Sequence, residues 1–215
     1  VGTWVGAPTL LGTTGGTDVG IAILGAGGNT LVASAEAGGT STDYGHGIAR
    51  MSNGNIVIVG TTSSSTGWPA LGGADTVWNS TDAFALVVNS ALNGAVGFSY
   101  IGGSSTDAGN AVAVDASNNV YVHYTTLSTD FGMIAGAGGN YDLGLAKLNA
   151  GLTAFTYHGR IGGASTEPTA GVSDTSIPGS LYQGSNSGIW VDSANQVWVT
   201  GMTASTDWPT TPGAF

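Results

Sequence analysis

Hydrophobic and polar positions alternate with a period of two along much of this 215-residue chain. In the stretch 110–126, the valines at 112, 114, 120 and 122 alternate with Ala and Tyr on both sides of the polar turn DASNN. Alternation of this kind predicts a strand, and two such runs around a turn of Asp, Ser and Asn predict a β-hairpin. Equivalent turns, SNGN at 52–55 and DSANQ at 192–196, predict two more copies of this hairpin.

A second hairpin pattern also occurs three times. Its copies are TDVGIAILGAGGNTLVASAEAGG (17–39), TDAFALVVNSALNGAVGFSYIGG (81–103) and YDLGLAKLNAGLTAFTYHGRIGG (141–163). Asp18, Asp82 and Asp142 begin these copies, at separations of 64 and 60 residues. A self-similar period of this length predicts a modular β architecture, and two hairpins together make one four-stranded unit.

The two hairpins divide the chain into an all-β, single repeat domain over 1–215. We expect three four-stranded units of about 60–64 residues, the terminal one split between the N- and C-terminal hairpins. The predicted segments are a half-unit at 17–37, complete units at 38–101 and 102–161, and a half-unit at 162–215 that contains an insertion at 169–186. The two halves could join within one chain, between two chains in a ring, or head to tail in a fibre.

A resemblance to known repeats rests on the middle unit. GNAVAVDASNNVYVHYTTLSTDF, followed by YDLGLAKLNAGLTAFTY, resembles the SBBP family of bacterial β-propeller repeats, and its first two strands are also similar to NHL-type blades. The resemblance covers nearly the whole chain and implies a β-propeller-like fold. It places innermost strands at 48–51, 111–115 and 188–192, the next strands at 55–60, 119–124 and 196–201, and outermost strands at 30–36, 95–101 and 153–159.

Composition and charge narrow the classes of function. The net charge is −10 and only three residues are Lys or Arg, which argues against nucleic acid and anionic membrane surfaces as partners. The absence of Cys excludes thiol chemistry and disulfides. Abundant Gly, Ser, Thr and Asn with few Lys favour a secreted or cell-surface protein, of bacterial type by the resemblance, from which we expect any signal peptide to have been removed.

Ten of the thirteen acidic residues occupy repeat-equivalent positions: Asp18, Asp82 and Asp142; Asp43, Asp107 and Glu167; Asp115 and Asp192; Asp130 and Asp207. A carboxylate that recurs in each unit is typical of a turn former, whereas catalysis needs a unique constellation. We therefore expect no enzymatic activity and no cofactor. The alternative is Ca²⁺ at Asp43, Asp107 and Glu167, because a hard cation prefers oxygen ligands.

Aromatic residues also recur. Trp68 and Trp208 are equivalent and each precedes Pro, Phe131 occupies the middle copy, and Trp198 is equivalent to Tyr121. Recurring aromatics predict packing between units, and the alternative is sugar stacking at several equivalent sites, which multivalency would strengthen.

Two functions follow from these patterns. The first is a structural surface protein that self-associates by joining half-units, along a seam formed by Asp18, Ile21, Ile23, Trp198, Trp208 and Phe215. The second is a lectin-like, carbohydrate-binding propeller or prism module whose partners are surface glycans.

Overall fold

The computed structural model describes residues 9–13, 15–136, 138–167 and 188–213. These residues form fourteen β-strands in four sheets, which confirms the all-β prediction. No helix long and apolar enough to cross a membrane occurs within the described ranges. The predicted insertion 169–186 and Phe215 lie outside them.

The strands follow in chain order. They are β1 (Thr9–Gly12), β2 (Val19–Leu24), β3 (Leu31–Gly38), β4 (Asp43–Arg50), β5 (Ile56–Thr62), β6 (Asp82–Val88), β7 (Ala95–Ile101), β8 (Asp107–Val114), β9 (Val120–Thr126), β10 (Met133–Gly136), β11 (Asp142–Leu148), β12 (Phe155–Gly162), β13 (Gly188–Val191) and β14 (Val197–Thr200).

Sheet 2, formed by β4–β5–β6–β7, is an antiparallel four-stranded meander. Sheet 3 repeats this arrangement in the order β8–β9–β11–β12 and adds β10 outside β12. The two predicted hairpin types therefore pair with each other in both sheets, in the chain order that the sequence indicated. Central strands β6 and β11 are bonded on both edges, and every residue of β6 is buried.

Sheets 1 and 4 contain only half of this arrangement. Sheet 1 has the order β1–β3–β2, in which β2 and β3 form the antiparallel hairpin. Sheet 4 consists of β13 and β14, also antiparallel. In the described part of the chain, β2 pairs only with β3 and β14 only with β13, so both strands present an open edge.

Two short strands are absent from the sequence predictions. Strands β1 and β10 have four residues each and pair in parallel with β3 and β12. Each ends at a glycine with positive φ, Gly12 in β1 and Gly136 in β10. Gly12 pairs with Gly38, the last residue of β3, and Gly136 pairs with Gly162, the last residue of β12. Four residues carry too short an alternation to predict a strand.

The first strand of each complete sheet starts earlier than the resemblance implied. Strand β4 begins at Asp43 and β8 at Asp107, instead of residues 48 and 111. Their pairing register shifts between Gly45 and Gly47 and between Gly109 and Ala111, as in a β-bulge. The glycines allow close packing, since a Cβ on Gly109 would collide with the Gly60 backbone of the neighbouring sheet.

The sheets stack face to face in chain order. One apolar cluster fills the space between sheets 1 and 2, and a second fills the space between sheets 2 and 3. Sheet 4 follows, with β13 against β8. The first cluster includes Val19, Ile21, Ile58, Phe84, Leu86 and Phe98. The second includes Val57, Val59, Ala85, Val122, Tyr124 and Leu148.

Candidate functional site

The recurring acidic residues are turn formers. In the two complete units, the carboxylate that begins the first strand receives hydrogen bonds from the backbone of a Gly–Gly pair and from a Ser side chain that follows the second strand. In the third unit, the equivalent Glu167 receives the side-chain hydroxyl donors. We call this arrangement the carboxylate clasp. Asp107 accepts from Gly103 N (2.9 Å) and Ser128 Oγ (2.8 Å), and Asp43 accepts from Gly39 N (2.7 Å) and Ser64 Oγ (2.9 Å).

The third clasp uses a longer side chain. Glu167 accepts hydrogen bonds from Ser205 Oγ and from Thr203 Oγ1, the latter at 3.1 Å. It therefore ties sheet 4 to the end of sheet 3, although β14 itself ends at Thr200.

The residues predicted to bind Ca²⁺, Asp43, Asp107 and Glu167, are the centres of the three clasps. Each belongs to a different unit, and the described residues contain no group of three or more His, Cys, Asp or Glu side chains arranged for a metal ion. The donors to these carboxylates are N–H and O–H groups, which stabilise the turns that lead into β4 and β8 and hold the segment after β14 against Glu167.

A second carboxylate lies near each clasp, at the start of the third strand. Burial raises the pKa of Asp82 to about 7 and that of Asp107 to about 6, and the charge of Asp107 contributes to the shift of Asp82. Asp82 Oδ1 is buried without a hydrogen-bond partner, whereas hydrogen bonds from Thr126 and Ser128 offset part of the shift of Asp107. In sheet 3 the equivalent Asp142 instead forms an ion pair with Arg160.

The three histidines occupy separate environments. His123 is fully buried, and burial lowers its pKa to about 4. His158 stacks on Phe131 and Phe155, with ring centroids 4.3 Å and 4.7 Å away, and burial lowers its pKa to about 4 as well. His46 Nδ1 lies 2.6 Å from the Gly109 carbonyl oxygen. The His46 contact therefore joins sheet 2 to sheet 3, and the His158 contacts pack β12 against Phe131 and Phe155.

The aromatic candidates divide by exposure. Trp68 is only 8% exposed: it packs on Phe84 and Phe98, with both centroid distances 4.7 Å, and its Nε1 donates to Thr62 Oγ1. Trp68 therefore packs within the apolar cluster between sheets 1 and 2, which is the packing that the recurring aromatics predict, and it also lines a cleft of ≈ 270 Å³. Phe131 is half-buried against His158.

Tyr121 and Trp198 are equivalent in the repeat but differ in environment. Tyr121 is 1% exposed, its hydroxyl bonds to Asp115 Oδ2 at 3.1 Å, and Lys147 Nζ lies 4.7 Å from the ring centroid. Trp198 is 58% exposed, although its Nε1 likewise donates to an aspartate, Asp192. The Asp contact is therefore the same in both sheets, whereas the described residues leave most of the Trp198 ring exposed.

A second exposed tryptophan lies beside Trp198. Trp190 on β13 is directly opposite Trp198 in the hairpin register and is 61% exposed. Trp190 was not among the residues predicted from the sequence. The repeat could have indicated it, because a tryptophan stands where the complete units have the small residues Ala49 and Ala113. Trp208 is half-buried beyond the hairpin.

The other open edge adjoins a groove. Val19 and Ile21 of β2 line it on one side, and His46, Ile48 and Ile58 of sheet 2 line it on the other, around a volume of ≈ 410 Å³. Ile48 is 63% exposed, although the equivalent Val112 in sheet 3 packs against an apolar cluster. Of the predicted seam residues, Ile21 and Ile23 point toward sheet 2, and Asp18 begins the hairpin as a partly buried turn carboxylate.

Neither the protein-family models nor the curated proteins compared with this sequence contain a match. The resemblance to SBBP and NHL-type repeats therefore remains an expectation from the sequence.

Proposed function

We propose that this protein is a non-enzymatic, secreted or cell-surface structural protein of bacterial type, built from propeller-like repeats. Its units assemble when the half-sheet at one end of a copy completes the half-sheet of another. The observation that carries this proposal is the pair of edges, on β2 and β14, that no described strand bonds, within a repeat whose complete copies pair the corresponding strands.

Open edges are costly to leave unpaired, because their N–H and C=O groups are available to any extended strand. Proteins normally shield such edges or pair them with another chain. Here the two edges are complementary halves of one repeat, since sheet 4 has first and second strands and sheet 1 has third and fourth strands. A contact between two different surfaces is heterologous, so it produces a ring or a fibre.

The absolute mass of the protein tests this proposal. Light scattering after size-exclusion chromatography, over a hundredfold range of concentration, is expected to show species larger than one chain. Because each copy carries a net charge of −10, added salt should screen repulsion and increase assembly. A constant monomer mass at all concentrations and salt levels would contradict the proposal. Electron microscopy of the large species distinguishes rings from fibres.

A second candidate function is multivalent carbohydrate binding. It is favoured by the exposed ring pair of Trp190 and Trp198, because aromatic faces stack on sugars and Asp192 lies beside them. A glycan array with the unmodified protein and with Trp198→Ala tests this candidate. Binding that Trp198→Ala removes would support it, and a flat array with the unmodified protein would eliminate it.

A further inference from the structure

We propose that β14 of one copy pairs antiparallel with β2 of a second copy in one defined register. Val197 lies opposite Leu24, Val199 opposite Ala22 and Thr200 opposite Ile21, while Trp190 and Trp198 enter the groove next to Ile48. This inference rests on the proposed assembly function and specifies its partner, a second copy of the same chain.

The register comes from the two complete sheets. Strand β5 pairs with β6 from Thr62 opposite Asp82 to Ile56 opposite Val88. Strand β9 pairs with β11 from Thr126 opposite Asp142 to Val120 opposite Leu148. Both pairings place the Thr that ends the second strand opposite the Asp that begins the third. The equivalent residues of the half-sheets are Thr203 and Asp18.

The length of β14 also fits this partner. Strands β5 and β9 have seven residues each, whereas β14 has four and ends at Thr200. The three residues that would complete it, 201–203, are those that the register places opposite Gly20, Val19 and Asp18. In the complete sheets the corresponding residues of β5 and β9 pair with the third strand, and β2 of a second copy would supply that partner.

The side-chain faces of the two edges match in this register. On β14, Val197 and Val199 are half-buried toward sheet 3, and Trp198 and Thr200 face outward. On β2, Ile21 and Ile23 face sheet 2, and Ala22 and Leu24 are exposed. Because side chains alternate along a strand, a shift of one residue would place Trp198 on the wrong face.

The groove supplies the contact for the tryptophans. With Trp198 opposite Ile23, its ring lies on the same face as Ile21 and Ile23 of the partner, and this face is packed on sheet 2 of that copy. The groove of ≈ 410 Å³ lies there, bordered by Ile48 and Ile58. Docking removes exposed apolar surface of both copies from water, and this burial is the main driving force for association.

Single-cysteine proteins test the register directly, because the natural chain has no Cys. The variants are Val199→Cys, Ala22→Cys and Leu24→Cys, all at positions where a small thiol causes little disturbance. Equimolar Val199→Cys and Ala22→Cys proteins are mixed under mild oxidation and analysed by non-reducing electrophoresis and mass spectrometry. Each chain carries one thiol, so a mixed disulfide dimer reports a contact between copies.

The expected result is at least a tenfold higher yield of mixed dimer from Val199→Cys with Ala22→Cys than from the matched control, Val199→Cys with Leu24→Cys. Directly opposite residues have Cα atoms about 4.5–5.5 Å apart, within the range a disulfide spans, and a pair displaced by two residues lies outside it. A preference for the control pair would overturn the register. Failure of both pairs in protein that light scattering shows to be oligomeric would overturn the edge pairing but leave assembly standing. A monomer at all concentrations would overturn the proposed function itself.

Two variants test the groove separately from the edge. Trp198→Ala and Ile48→Ser are expected to raise the concentration of half-assembly at least tenfold, while Val32→Ser, an exposed residue of β3 outside the groove, leaves it unchanged. Hydrogen exchange provides the second readout: amides of 197–203 and 18–24 should become protected on assembly. Unchanged assembly in both groove variants would overturn the docking of the tryptophans.

Discussion

All four sheets are built from the same two types of hairpin. Sheets 2 and 3 each contain both types, whereas sheets 1 and 4 each contain one. In sheet 2 the third strand β6 is bonded on both edges and buried on both faces. In sheet 1 the equivalent strand β2 is bonded on one edge and alternates between buried and exposed residues. Burial of a residue in this repeat therefore depends on whether its unit has both hairpins and neighbours on both sides.

The second hairpin turn shows the same difference. Leu92 and Leu152 adopt positive φ values, 54° and 59°, and are fully buried in the two apolar clusters. A left-handed conformation costs a non-glycine residue about 1–2 kcal/mol, which burial of the leucine side chain offsets. The equivalent residue in sheet 1 is Gly28, which has a φ of 69° and where an added Cβ would meet no neighbouring atom within 4 Å. Where no core covers the turn, glycine satisfies the backbone without cost.

The largest difference in the free energy of unfolding is expected between alanine variants of the equivalent aromatics Tyr121 and Trp198. Tyr121→Ala removes a fully buried ring and should lower the free energy of unfolding by about 3–5 kcal/mol. Trp198→Ala removes an exposed ring and should change the stability of the monomer by less than about 0.5 kcal/mol. Urea denaturation at a concentration where the protein is monomeric measures both. Equal losses would show that sheet 4 is covered within a single chain. Tyr121→Phe is the control for the loss of the Asp115 hydrogen bond alone.

An intermediate effect compares Asp82 with Asp142, which begin the third strands of sheets 2 and 3. The folded-state pKa of Asp82, about 7, is above the ordinary value of 3.8. Between these values the folded protein holds more protons than the unfolded chain, so stability falls as pH rises from about 4 to 7. Asp82→Asn should remove this contribution, leaving that of Asp107, and raise the free energy of unfolding at pH 8 by about 1–3 kcal/mol.

Asp142→Asn is the matched variant with the opposite expected sign. It removes the carboxylate from the buried ion pair with Arg160 and should destabilise the protein at pH 8, because the guanidinium loses its counter-charge. Thermal unfolding at pH 4, 6 and 8 measures both variants. A stabilising effect of Asp142→Asn, or a pH dependence that Asp82→Asn leaves intact, would contradict the assignment of these two environments.

The smallest expected effect compares the serines of two carboxylate clasps. Ser128 is buried, donates to Asp107 and accepts from Ser105 N at 2.9 Å. Ser205, which bonds to Glu167 and to Ser165 N, is half-buried. Ser128→Ala should cost about 1–2 kcal/mol and Ser205→Ala well under 1 kcal/mol, since water can replace the lost partner only in the second case. Similar losses for both would show that the clasp of sheet 4 is as shielded as the others.

Much of the local structure could be predicted from the sequence. Period-two alternation located the hairpins, and the recurrence of Asp at fixed positions correctly indicated turn-forming carboxylates, as with Asp115, whose Oδ1 accepts from the backbone N–H groups of Ser117 and Asn119. The bulged starts of β4 and β8 escaped prediction because glycine-rich stretches resemble loops unless the neighbouring sheet that needs the glycines is known.

The candidate site was predicted only in part. Trp198 and β2 were identified from the split repeat, but Trp190 and the groove beside Ile48 were not. A groove is a property of two packed sheets, and no local pattern reports its volume. Trp68 illustrates the same dependence on tertiary contacts, since Phe84 and Phe98 bury it while its repeat equivalents, Phe131 and Trp208, are half-buried.

The positions of strands and turns follow from local sequence, because alternation of side chains and the backbone preferences of Asp, Asn and Gly act over a few residues. The covered faces and the bonded edges follow from tertiary contacts, because they depend on residues far apart in the chain. Tyr121 and Trp198 occupy the same position in the same hairpin, and the neighbours of each sheet make one a core residue and leave the other on an open surface.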